Sequence, residues 1–470
     1  MFAQTKTIAI PKLLFWSAAT CCVALTSYLV ATQPSFWIIL MACALLVAIV
    51  SKNLRIGLAI VIMLPVAGEL VRLPFGGENG ALISDLAITI LIGIWILKKI
   101  ASREAIIQSR FTKPLLAFAV VGVFSLLFSL TFLSFSQVLA SSLYLVRFIE
   151  YAMLALLTLD SVKNPKQAKR LLGIITVSAC LLAIAGFIQL IIYPNLDKLE
   201  SFGWDPHHNR LVSTWLDPNF MAGMLSFVIA ILAGITIHIK GALKKIGLIL
   251  IIGVLATALF LTYSRSGYID IAIAIFVIGA LKSRKLLIAC VLIAVAGITL
   301  LPRAQERIDQ LSQSVNSIVF NTSQNPDPTA KLRIQSWNQT IDLIAERPIL
   351  GSGYNTLPFV KFEEGLVSNP QVHSASGSDS SLLTILATTG ILGLIPFILL
   401  YWRMLALAWK NWRSKNIPGI WRGLSLGILA GIIGLFAHSL FVNSLLYPEI
   451  MIFVWTCAGL LDRINTFDAA

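Results

Sequence analysis

The feature that most limits this chain is its succession of apolar runs, each close to the length of a bilayer crossing. They can be read at about 13–31, 36–50, 54–73, 82–97, 114–133, 137–160, 171–193, 219–238, 246–263, 267–281, 285–301, 379–402, 423–441 and 444–461. Crossing roughly 30 Å of hydrocarbon takes about 20 residues as a helix. Lipid offers no partner to backbone amides, so each span must satisfy its own hydrogen bonds. The expected fold is therefore all-α, a polytopic transmembrane helix bundle of about 12 to 14 spans. Composition agrees: 57% of the residues are hydrophobic and only 12% charged, far from the balance of a soluble globular chain. A net charge of +14 could point to nucleic acid, but that reading needs basic residues gathered on one solvated face. Here they are dispersed between apolar runs, which implies membrane lipids as partners and no nucleic acid.

The basic residues also set the expected orientation. With the N-terminus in the cytoplasm, clusters such as Lys98–Lys99, Lys163–Arg170, Lys244–Lys245, Lys282–Lys285 and Lys410–Lys415 all fall on the inner side, while most acidic residues fall outside. The positive-inside rule favours that arrangement. The expected location is the cytoplasmic (inner) membrane, multi-pass, with the first apolar run read as an uncleaved anchor. Four regions follow: N-terminal spans over 1–135, core spans over 136–301, a large extracytoplasmic loop over 302–378, and C-terminal spans over 379–470. Within the loop, Ile308, Leu311, Val315 and Ile318 step at helical spacing, as do Ile334, Trp337, Ile341 and Ile344. Two amphipathic helices are expected there, each with one apolar stripe. All six cysteines sit in apolar runs without paired spacing, which reads as packing and indicates neither disulfides nor metal.

Chemistry on a polar substrate belongs against the one long polar segment. Asp217 and Pro218 read as the cap and first turn of a helix, an end that attracts anions, and Arg210 stands just before it. Arg265 lies in a tight turn at Ser264–Gly267, expected on the same face. Either arginine could merely snorkel to headgroups; two flanking separate helix ends on the same face favour an anion site. Arg147 lies inside an apolar run, where an ionisable residue is a functional candidate, although Glu150 at i,i+3 could neutralise it. His207 and His208 beside Asp205 invite a metal reading, but adjacent residues do not present both rings to one ion and no further ligands are suitably spaced. Gly351–Ser352–Gly353 is a weak phosphate-nest signal lacking the Lys and Ser/Thr of a nucleotide loop. Asp379 opens a span, where a carboxylate is a natural N-cap, yet it also borders the polar loop with His373 just upstream. His438 and Asn443, in the last spans, read as interhelical hydrogen bonders.

Together these motifs resemble the O-antigen ligase and polymerase superfamily of bacterial envelope glycan assembly. The matching residues are Arg210 with Ser213–Asn219, Tyr263–Gly267, Arg333–Trp337 leading to Gly351–Asn355, and Asp379–Gly393. The resemblance implies metal-independent and cofactor-free glycan transfer on the extracytoplasmic face from a polyprenyl-diphosphate-linked glycan to a glycan or lipid acceptor, alongside other envelope-glycan assembly proteins. It implies that Arg210 and Arg265, with Arg147 as a further candidate, hold the donor diphosphate. Ligases of this kind place a base histidine before a polar residue, nine residues and GxxG. Here Asp379 occupies that position ahead of Ser380 and Gly390–Gly393, which favours a polymerase of O-antigen or exopolysaccharide repeats over a ligase. His373 could serve as the base in its place. From a different class, a transporter or flippase of lipid-linked glycan would also need many spans, but no internal repeat is visible.

Overall fold

A computed structural model describes residues 34–72, 81–198, 207–282, 285, 288, 328–367 and 377–467. The spans expected at 13–31 and 285–301, the amphipathic helix at 308–318 and His373 lie outside these residues. The described part is helical throughout its regular structure. In chain order the helices are α1 (Pro34–Lys52), α2 (Leu54–Met63), α3 (Ile83–Ala101), α4 (Thr112–Ser129), α5 (Phe135–Ser161), α6 (Pro165–Ile192), α7 (Pro218–His238), α8 (Ala242–Leu261), α9 (Arg265–Lys282), α10 (Pro328–Glu346), α11 (Leu357–Glu363), α12 (Ser381–Arg413), α13 (Gly419–His438) and α14 (Pro448–Ile464).

Each expected span among the described residues coincides with a helix, but only 7 helices are long and apolar enough to count as candidate crossings: α4, α5, α6, α7, α8, α12 and α13. The others fall short for visible reasons. Helix α14 has 17 residues, α9 carries Arg265, Asp270 and Lys282 within 18, and α2 gives way after 10 residues to two 3-10 turns.

In lipid, helices gain little from hydrophobic exclusion and pack where small side chains let backbones approach. The α7–α13 crossing shows this directly. Gly423, Gly427 and Gly431 fall every fourth residue along α13, and a Cβ on Gly427 would lie 2.4 Å from the Ile231 Cα. Helix α9 packs on the same pair, with Asp270 buried against Gly434, where a Cβ would come 2.1 Å from its Oδ1. On the other flank α14 packs against α5, and Phe148, Phe397, Tyr401 and Trp455 form a continuous ring cluster across α5, α12 and α14.

Of the loop, α10 and α11 are described, and both lie against α12. The buried face of α10 runs through Thr340 and Leu343, with Trp337 6.0 Å from the Phe441 ring. Ile341, expected on the apolar stripe, is 50% exposed. Leu343, which is buried, takes the inward position instead, so the stripe is rotated from the expected one.

Candidate functional site

Helix order brings the ends of several helices to one end of the bundle. Asp217 caps α7 as expected, its Oδ1 accepting from the amides of Asn219 (2.6 Å) and Phe220 (3.0 Å). These are helix-end donors that the sequence alone leaves open to an anion, and the chain's own carboxylate takes them. The turn between α8 and α9 abuts it: Ser264 donates from Oγ to the Asn219 Oδ1 (2.7 Å), and the Gly267 amide donates to the same Ser264 hydroxyl (3.2 Å). One serine thus joins the starts of α7 and α9.

Arg210 is built into that turn. Its Nε donates to the Thr262 carbonyl at 2.9 Å and Nη2 to the Tyr263 carbonyl at 3.4 Å, while the Leu211 amide donates to the Leu261 carbonyl. Arg265 is the first residue of α9, two positions after Tyr263. Both arginines are half-buried. The structure therefore places Arg210 and Arg265 at a single turn, on different elements. Backbone strain collects here too: Asn209, Ser213, Leu216 and Tyr263 all have positive φ, a conformation costing of order 1 kcal/mol or more for a residue with a side chain.

Arg147 is not at that turn. Its Nη2 pairs with Asp85 Oδ2 at 2.5 Å, and Asp85 also accepts from the Tyr151 hydroxyl (2.9 Å) and the Leu82 amide (2.9 Å). The alternative of an Arg147–Glu150 pair is corrected: Glu150 accepts from Thr89 instead, at 2.8 Å. Nearby, Glu69 pairs with Arg72 and accepts from the Tyr447 hydroxyl. These half-buried charges are thus paired with one another, Arg147 with Asp85 across two helices and Arg72 with Glu69. Tyr447 stacks on Phe220 with ring centroids 3.9 Å apart, which connects the Arg72–Glu69 pair to the start of α7.

Asp379 does not cap α12. Ser380 is the N-cap, its side chain accepting from the Leu383 amide at 3.5 Å. Asp379 stands one residue outside, with φ +54°, exposed between buried Ser378 and Ser380. The segment is pinned on several sides. Ser378 meets Thr384 (3.0 Å), Thr384 donates to Asn443 (3.1 Å), and the Ser381 amide donates to the Ser439 carbonyl (2.9 Å). Asn443 and His438 are hydrogen bonders, but not from span to span: both Asn443 and Ser444, whose Oγ meets His438 Nδ1 at 2.9 Å, lie in the connection between α13 and α14. His438 also lies within electrostatic reach of Asp217 and Arg333, and its ring packs on Gly223 of α7. Through it the start of α12 and the start of α7 share one neighbourhood.

The sequence reading passed over Lys361. Its ammonium is buried, donating to the Gly377 carbonyl at 2.6 Å. Burial lowers its pKa from the ordinary lysine range, and the nearby charge of Asp379 opposes that shift. The available signal was register: Leu357, Val360 and Lys361 at i, i+3, i+4 share the buried face of α11, so a lysine sits where an apolar side chain is expected.

Gly351–Ser352–Gly353 serves α12 and offers no phosphate nest. Helix α12 breaks at Gly390, where φ is +61° and ψ −169°. The carbonyls freed at Ala387 and Thr388 accept from the amides of Ser352 and Gly353, both at 2.9 Å, and the amides of Ile391 and Leu392 donate to the carbonyls of Pro348 and Ile349. Ser125 adds a hydroxyl to the Thr388 carbonyl at 2.6 Å. Irregular backbone is tolerated beside lipid only when satisfied in this way. His208, one of the adjacent histidines, pairs with Asp197 at 3.0 Å.

The family model described as O-Antigen ligase matches residues 250–398. That range holds the α8–α9 turn with Arg265, the whole Gly351–Gly390 junction, Lys361 and Asp379. This match supports the O-antigen ligase/polymerase superfamily for that part of the chain. No curated protein matches it in a sequence search. Arg147 and Arg210 lie outside the matched range. The match supports an O-antigen ligase/polymerase-type function in general; members of that family are glycosyltransferase-like membrane enzymes, and the family implies lipid-linked glycans as substrates.

Proposed function

We propose that the protein transfers glycan from a polyprenyl-diphosphate-linked donor, most simply as a polymerase of O-antigen or exopolysaccharide repeats. The observation that carries this reading is the anchoring of Arg210 on the Thr262–Tyr263 carbonyls, beside Arg265 at the start of α9. Two guanidinium groups from separate elements suit a diphosphate, because each supplies several in-plane donors to phosphate oxygens. In this reading the acceptor hydroxyl oxygen attacks the anomeric carbon, and the bond from that carbon to the diphosphate oxygen breaks. The hydroxyl proton passes to Asp379, or to His373, and the arginines take up the charge on the leaving diphosphate. Cleavage of the diphosphate ester supplies the driving force, so no nucleotide is consumed.

Membrane vesicles supplied with lipid-linked repeat units test this. Arg210→Ala and Arg265→Ala proteins present at normal levels should each lose a charge-assisted contact of about 1.5–3 kcal/mol, roughly 10- to 150-fold in turnover. Wild-type elongation by either variant overturns the assignment. Long chains formed from single repeats indicate a polymerase, whereas transfer of a finished chain to a lipid or protein indicates a ligase. Glycan movement across the vesicle without any new glycosidic bond indicates a transporter.

A further inference from the structure

Lys361 has 1% of its surface exposed, and a buried ammonium is costly unless it finds partners. Its partner is the Gly377 carbonyl, two residues before Asp379. Everything around this contact removes slack from the segment. A Cβ on Gly377 would come 2.1 Å from the Asn443 amide nitrogen, the Ser378 amide donates to Thr384 Oγ1 (3.2 Å) and the Ser378 hydroxyl to the Ser380 carbonyl (3.0 Å), and Ser380 caps α12. Held from behind in this way, residue 379 turns outward through a positive φ. A charged side chain has been placed under a loop where an apolar one would pack at less cost.

We propose that Lys361 is the positioning residue of Asp379: from beneath, it fixes the backbone of residues 377–380 and sets a positive field at side chain 379, so that a carboxylate there stays charged and in one orientation. The catalytic consequence rests on the glycan-transfer reading above; the contact and the field do not.

The field is tested without any activity. In membrane vesicles carrying Asp379→Cys, labelling by a membrane-impermeant maleimide is followed across pH, with the unsubstituted chain as blank for the native cysteines. A neighbouring ammonium favours the reactive thiolate. Adding Lys361→Gln, which keeps a donor for the Gly377 carbonyl but no charge, should raise the labelling midpoint by about one pH unit and slow labelling at neutral pH roughly tenfold. Lys361→Arg should keep the midpoint within a few tenths of a unit, and the high-pH plateau should be the same for all three. An unmoved midpoint with Lys361→Gln overturns the proposal, as does an equal shift with Lys361→Arg. If the Lys361→Gln protein does not accumulate, Lys361→Met supplies the neutral arm. With Asp379 restored, Lys361→Gln should lower kcat for glycan transfer at least tenfold with the KM for lipid-linked donor unchanged, and an effect on KM alone overturns the role in positioning. Absence of transfer by the wild type defeats the functional reading, while the labelling shift still decides the role of Lys361.

Discussion

Asp217 and Asp379 are the same residue type just before two helices, and they do different things. Asp217 has its carboxylate on two amides of its own first turn. Asp379 yields that place to Ser380, so its exposed carboxylate is not explained by capping. Sequence could not separate them, since Asp217–Pro218 fixes one register while three consecutive candidates, Asp379, Ser380 and Ser381, leave the other open. Arg147 teaches a similar lesson. Spacing within one helix pointed to Glu150, whereas the partner is Asp85, on a helix that no local rule connects to it. This pair yields a stability prediction. Removing Asp85 strands a half-buried guanidinium inside α5, and breaking a buried pair from one side costs about 3–5 kcal/mol. Asp85→Ala should therefore lower the midpoint of thermal unfolding in detergent sharply, and adding Arg147→Met should restore most of it. Equal midpoints for the single variant and the parent chain would show that the pair contributes nothing.

At the scale of elements, the positions of helices were largely legible, since apolar length survives any ignorance of packing. Breaks and crossings were not. The GxxG of Gly390–Gly393 was visible as a pattern, but the reason for its first glycine is a backbone exchange with residues 348–353 that only the fold displays. The four-residue glycine spacing on α13 likewise acquires meaning once Ile231 is found against Gly427. Gly390 is the sharper test. A Cβ there would stand 2.1 Å from the Ile349 carbonyl oxygen, at a φ of +61°, so Gly390→Ala must either move the 348–353 segment or close the break. The expected loss is about 3 kcal/mol or more, judged from strain and overpacking together. Gly93 in α3 has no neighbour within 4 Å of its would-be Cβ; Gly93→Ala should be neutral or stabilise by up to about 1 kcal/mol through helix propensity. Thermal unfolding of the two variants side by side checks this, and similar losses would mean that Gly390 owes nothing to its contacts.

Across the whole molecule, the two ends of the bundle carry different electrostatics. At one end lie Arg210, Arg265, Asp379 and the helices of the polar loop. At the other, Lys99 and Lys163 pair with Asp160, Arg110 pairs with Asp462, and Arg463 reaches the Lys163 carbonyl, so both of these acidic groups are paired with basic ones. Flanking lysines and arginines are retained on the cytoplasmic side during insertion, and that asymmetry was readable from sequence because it depends on counts near span ends and not on packing. It makes sidedness testable apart from chemistry. In intact cells stripped of any outer barrier, an impermeant maleimide should label Asp379→Cys and leave Lys166→Cys unlabelled until the membrane is permeabilised. Position 166 lies in the first turn of α6 among Lys163, Lys169 and Arg170, whereas 379 stands just before α12 beside the polar loop, so the two report opposite ends of antiparallel helices. The reverse pattern would put the arginine turn in the cytoplasm, where a glycan presented outside the membrane could never reach it, and the proposed reaction would fail on topology even with every contact at the site intact.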